Sequence, residues 1–242
     1  MKTLKETIFE ALRIKTGSKI RVQKSPIIIT SRKHLIETIL SEVEENGYNC
    51  DLNHLDVSKV TDFSHLFIES TSYDLRKFNG NISDWDVSNA VNMNYMFYDS
   101  DFSGENGDIS NWDVSKCKNF ESMFRESNYD GDLSKWDVSS GKKFTCMFYN
   151  CIFTGRKGPL KNWNMKNAND LGGMFGGSNF TEDISNWDVS NVTGMSQMFM
   201  DTQYNHNLEN WNVKKLKYAN QIFDRCPVRK NLPKWAYKFY YS

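Results

Sequence analysis

Only four of the 242 residues are proline, and no run approaches the roughly 18 apolar residues that a membrane helix requires. The 30 basic and 30 acidic side chains cancel, so the chain lacks the positive excess of a generic nucleic-acid binder. Five cysteines form no CxxC motif, and an odd number cannot pair completely; they read as buried free thiols. The four histidines, His34, His54, His65 and His206, show no metal-ligand spacing and read as solvated or incidental. There is no P-loop, no GxSxG and no paired His with Glu on a helix. The acidic, Gly-rich stretch SGENGD at 103–108 is too short for a calcium-binding loop. No catalytic residue, metal or cofactor is therefore assigned. The opening MKTLKETIFEALRIKTGSK has no uninterrupted apolar core and no small-residue cleavage site, unlike an ordinary secretory signal.

What is abundant is a repeated phrase. Asn occurs 26 times, and Trp recurs at 85, 112, 136, 163, 187, 211 and 235. The spacing is 24 residues, lengthened to 27 in two units, and an earlier unit has Leu55 in the Trp place. Counting from the Trp as first, the third position is Val or Met and the thirteenth is Phe, from Phe67 to Phe223. Ile or Leu stands three residues before each Trp. Segments such as Ile109–Val114 alternate like a short strand. The sixth, ninth, twelfth and thirteenth positions then follow at helical spacing, as in Val192, Met195, Met198 and Phe199, with Ser at the fourth as a helix N-cap. One unit cannot bury its own Trp, Phe and Met, whereas stacked neighbours can. The expectation is a curved ribbon of parallel strands, each followed by a helical turn or two.

The phrase DISNWDVSNVTGMSQMFMDT (183–202) resembles the repeats of BspA-like leucine-rich-repeat surface proteins of bacteria, in the variant with W-D-V-S-n-V-x-x-M-x-x-M-F units. CDLNHLDVSKVTDFSHLF (50–67) is similar to their opening unit. The resemblance implies an α/β repeat fold: a leucine-rich-repeat-like solenoid with a parallel sheet on its concave side and short helical segments on its convex side. It also implies adhesion or protein binding and no catalytic residue. Two units depart from the pattern. The Trp163 unit carries Gly172-Gly173 and Gly176-Gly177, which predict a looser convex segment, since Gly in a helix costs about 1 kcal/mol relative to Ala. Gly141 at the sixth position of the Trp136 unit predicts a hole or a bend.

A repeat array needs caps. Residues 1–49 read as a basic leader and an N-terminal α/β cap: an amphipathic helix over 3–15 (Leu4, Ile8, Ala11, Leu12), a buried strand Pro26–Thr30, and a helix from N-cap Ser31 to about Glu45, ended by Gly47. Residues 50–234 form seven repeats and 235–242 a C-terminal cap, with an eighth strand beginning at Leu232 and Tyr237, Phe239, Tyr240 and Tyr241 covering the last unit. Charge is unevenly placed: residues 1–33 carry a net +7, 34–210 a net −14 and 211–242 a net +7.

The most regular polar position is the second, between Trp and Val: Asp56, Asp86, Asp113, Asp137 and Asp188, with Asn164 and Asn212 in two units. Alternation sends it away from the buried Trp, onto the exposed concave face. It is either an acidic binding ladder or a set of corner acceptors. The Asp units have Ser at the fourth position and the Asn units have Lys, which links the two positions locally. The reading is a non-enzymatic repeat protein that binds another protein, a host or virion component, through this face or through the insertions near 68–77, 103–106 and 154–158. No nucleic-acid partner and no membrane span are expected. The alternative is a phage virion structural or accessory protein attached by its basic leader, which is similar to the starts of some virion proteins. The location stays open between cell surface, cytoplasm and virion.

Overall fold

The computed structural model describes residues 25–68 and 74–240. The expected helix over 3–15 and most of the basic leader lie outside these residues. Strand β1 (Ile27–Ile28) pairs in parallel with β2 (Leu55–Asp56), with Ile27 opposite Leu55. Between them runs α1 (Arg32–Asn46). The Ser31 hydroxyl accepts the His34 N–H at its start, and Gly47, at φ 79°, returns its N–H to Val43 O at its end. Leu35, Ile39 and Val43 are buried. The segment around β1 is not the buried strand expected: Ile27 and Ile28 are exposed, Ile28 by 54%, and only Ile29 is enclosed. β1 is the edge of a two-stranded sheet, so among the described residues no further strand covers its other side.

The repeats depart from the strand-then-helix reading. The Trp phrases after β2 are not strands, and α1 is the only α-helix among the described residues. Consecutive units are joined by a main-chain ladder further along. The N–H groups of the ninth, eleventh, thirteenth and fifteenth positions donate to the carbonyls of the eighth, tenth, twelfth and fourteenth positions of the following unit. From the Trp187 unit, Met195 reaches Tyr218 O at 2.7 Å, Gln197 reaches Asn220 O at 2.9 Å, Phe199 reaches Ile222 O at 3.0 Å and Asp201 reaches Asp224 O at 2.9 Å. The Trp85, Trp112, Trp136 and Trp163 units repeat these four rungs. Parallel bridges at the eighth position run through Asp62, Asn92, Asn119, Lys143, Asp170, Gly194 and Tyr218.

Backbone dihedrals explain why no helix forms there. The eleventh and fifteenth residues are left-handed: Tyr95 and Asp99 have φ of 56° and 50°, Gln197 and Asp201 of 61° and 59°. A helix needs consecutive residues near −63°, so a positive φ every fourth residue breaks it. A left-handed residue bearing a Cβ costs roughly 1–2 kcal/mol. The rungs offset this at about 0.5–1.5 kcal/mol each. Gly173 and Gly177 occupy these two places at φ 62° and 67°. The paired glycines are therefore not a loosened helix but the residues best suited to the conformation, and Leu171, Met174 and Phe175 around them are buried. Gly141 leaves no hole either. A Cβ there would lie 2.4 Å from Cζ of Phe144, so the ninth-position ring fills the space of the missing sixth-position side chain. The Trp211 unit makes the opposite trade, with Leu216 at the sixth position and Ala219 at the ninth, both buried.

The core is built of aromatic columns. The thirteenth-position rings from Phe67 to Phe223 stack with centroids 5.3–6.0 Å apart. Trp85 and Trp112 stack at 6.4 Å, and Trp163 and Trp187 at 6.3 Å. Most indole N–H groups reach back to the preceding unit, as from Trp136 to Ile109 O at 3.0 Å and from Trp187 to Leu160 O at 2.9 Å. An eighteenth-position ring, overlooked in the sequence, closes five layers: Phe102, Tyr129, Phe153, Phe180 and Tyr204 lie 3.9–4.3 Å from the Phe of their own unit. At the C-terminal end, Lys234–Phe239 is a 3₁₀ helix rather than an eighth strand. Phe239 and Tyr240 pack on the core, whereas Tyr237 is exposed. Tyr241 lies outside the described residues.

Candidate functional site

Each second-position side chain closes a corner by accepting the N–H two residues on. The Oδ1 atoms of Asp86, Asp113, Asp137 and Asp188 accept from Ser88, Ser115, Ser139 and Ser190 at 2.9–3.0 Å. Asp56 accepts both the N–H and the hydroxyl of Ser58, at 3.1 and 2.6 Å. Asn164 accepts from Lys166 at 3.2 Å and Asn212 from Lys214 at 3.4 Å. This is the Asx turn. All seven side chains lie on the outside; six are exposed and Asp56 is half-buried.

The linkage of Asp with Ser has a chemical basis. A Ser hydroxyl hydrogen-bonded to the carboxylate, with the Ser N–H beside it, lowers the pKa of Asp56, Asp113 and Asp188 below the ordinary carboxylate value. Lys59, Lys116 and Lys166 add attraction at the same three residues. The row is thus rich in acceptors but interleaved with lysines, which relieves the mutual repulsion of its carboxylates.

Polar side chains flank the row and tie one unit to another. Asn89, Asn167 and Asn191 donate to Ser58 O, Ser139 O and Lys166 O at 2.8–2.9 Å. On the other side, Asn186 donates to Lys161 O at 2.8 Å and Lys135 reaches Asn111 at 3.1 Å. Two further Asx series, at Asp108, Asp132 and Asp183 and at Asp62, Asn92 and Asn119, close other corners of the unit. The abundance of Asn and Asp follows from these three corners per repeat, and the sequence reading singled out only one of them.

Three of the four histidines are not solvated. His54 Nε2 lies 3.0 Å from Glu42 Oε1 of α1, with side chains 7% and 10% exposed, so the pair fastens α1 to the first repeat. His65 stacks on Tyr95 at 4.7 Å, and His206 Nε2 lies 2.9 Å from Thr181 O. Neither fact is visible in spacing, because each partner is distant in sequence. All five cysteines are free thiols, and burial pushes Cys117 up to about 12. Among the described residues no group of three or more His, Cys, Asp or Glu converges to hold a metal ion, and no helix is long and apolar enough to cross a membrane.

With this geometry in view, a family model matches residues 36–157 and again 147–239, so one description covers the array twice over. The chain belongs to the DUF285 family. That family is described as a Mycoplasma protein of unknown function. Membership agrees, at a coarse level, with the resemblance to BspA-like surface repeat proteins. No curated protein and no solved structure matches. In this DUF285 chain the row through Asp86, Asp113 and Asp137 presents exposed carboxylates.

Proposed function

We propose that this chain is a leucine-rich-repeat-like solenoid of the W-D-V-S variant, without enzymatic activity, that binds another protein through the second-position row. One observation carries the reading. Asp86, Asp113 and Asp137 belong to consecutive units, and each is held at Oδ1 by its own corner while its side chain stays exposed. A carboxylate held by its corner loses little rotamer freedom on binding, which favours affinity. The partner such a row fits is donor-rich and basic. The aromatic columns support a rigid platform rather than a stacking site, because Trp85, Trp112 and Trp136 are buried.

The test uses the Asp86→Asn/Asp113→Asn/Asp137→Asn triple variant of the whole chain and a synthetic peptide of alternating Lys and Thr. Asn keeps the Oδ1 acceptor and removes the charge. The expected result is weaker binding with a shallower salt dependence and an almost unchanged melting temperature. Equal binding by parent and variant refutes the row as a contact surface. A large loss of stability assigns it to the corners alone.

A further inference from the structure

The rungs from the ninth to the fifteenth position all run forward, although N–H groups just before them donate back, as Lys217 does to Thr193 O, and these rungs make the two ends of the array different. Each unit offers N–H groups forward and receives them on its carbonyls. The Trp211 unit receives four, on Tyr218, Asn220, Ile222 and Asp224. Its own forward donors are the N–H groups of Ala219, Gln221, Phe223 and Arg225. Ala219 is buried. Phe223 N–H donates to the phenol oxygen of Tyr240 at 2.7 Å, so a side-chain oxygen stands where the next carbonyl of the ladder would be. Gln221 and Arg225 are exposed, and their N–H groups have no acceptor among the described residues. Both side chains reach back to the previous unit, Gln221 to Gln197 at 3.0 Å and Arg225 to Asp201, away from the forward side.

Two further features mark this edge. The eighth position is polar or Gly in the preceding bridges, but at the last it is Tyr218, a residue 64% exposed. Exposed tyrosines are favoured anchors at interfaces. The surroundings are strongly basic: residues 211–242 carry eight Lys and Arg and one acidic side chain. An unpaired edge of this kind recruits extended backbone. The other end of the array is closed, because Arg32 Nε already donates to Ser64 O at 2.6 Å and α1 packs there. A second copy stacked head to tail would have to displace that helix.

We propose that the edge from Tyr218 to Arg225 is a docking site for an extended acidic peptide segment of a partner. Its backbone carbonyls accept from Gln221, Phe223 and Arg225 after Tyr240 is displaced, Tyr218 packs against it, and the basic C-terminal residues attract its carboxylates. This surface is separate from the second-position row and of opposite charge preference.

The experiment uses the whole chain and a synthetic peptide of alternating Glu and Thr, with a Lys/Thr peptide as control, and follows amide hydrogen exchange by NMR. The Glu/Thr peptide is expected to bind saturably and to slow exchange at Gln221 and Arg225. Tyr218→Ala, an exposed truncation, is expected to weaken it about tenfold or more. Tyr240→Phe keeps the ring over Arg229 but removes the competing oxygen, and is expected to tighten binding. The proposal is overturned if the peptide leaves those amides unchanged, if Tyr218→Ala binds like the parent, or if Tyr240→Phe binds less tightly while melting normally. Protection that rises with protein concentration in the absence of peptide assigns the edge to a second copy instead and equally overturns it.

Discussion

Trp136 and Trp211 hold the same place in their units and are 3% and 4% exposed, yet one difference separates them. The indole N–H of Trp136 donates to Ile109 O, whereas that of Trp211 is buried without a partner. Replacing each by Phe removes the same ring atoms, so the transfer and cavity terms nearly cancel in the comparison. Trp136→Phe also loses a hydrogen bond. Ile109 O keeps its bond from Trp112 N–H at 3.1 Å, so the loss is one net bond, about 0.5–1.5 kcal/mol, and not the cost of an orphaned carbonyl. Trp211→Phe instead removes an unsatisfied buried donor, relieving about 1–3 kcal/mol. Trp136→Phe should therefore be the more destabilising by about 1.5–4.5 kcal/mol. At roughly 2–4 °C per kcal/mol for a chain of this size, a gap of about 2 kcal/mol separates the midpoints by roughly 4–8 °C. Differential scanning calorimetry of parent and both variants measures it. Equal losses, or a larger loss for Trp211→Phe, would refute the role given to the indole bonds.

Gly177→Ala should destabilise by at least about 1–2 kcal/mol in urea unfolding, because φ is 67° and the new Cβ would sit 2.1 Å from Asn150 Oδ1; an unchanged midpoint would show that the fifteenth position is not held left-handed. Stability should fall in acid. The depressed pKa values of Asp56, Asp113 and Asp188 mean that these groups stabilise the fold above the unfolded carboxylate value near 4, and the contribution disappears as pH falls through their lower folded values. Asp113→Asn should flatten that dependence, and a variant with the parent's acid profile contradicts the assignment. In native protein a maleimide should modify Cys146 first, since it alone of the five thiols is partly exposed, and slowly, because burial raises its pKa; rapid labelling of Cys117 or Cys151 would mean that the core opens.

The unit length, the buried Trp and Phe columns and the capped helix α1 could all be read from the chain. Each depends on apolar spacing or on a side chain acting on its near neighbours, as Ser31 does on His34. The second-position corners were legible for the same reason, since an Asx acceptor and its donor lie two residues apart. What the sequence did not carry was the way one unit grips another. The left-handed eleventh position is filled by His65, Tyr95, Ser122, Cys146, Gly173, Gln197 and Gln221, residues that share a backbone conformation and no side-chain chemistry. Apolar positions between them fall at helical intervals by coincidence of spacing, and only Gly173 and Gly177 betrayed a positive φ. The rungs are main-chain groups meeting across 23 or more residues, and a peptide N–H looks the same in every residue but proline. Stacking decides which of them find carbonyls, and therefore that the last edge, at Gln221 and Arg225, finds none among the described residues.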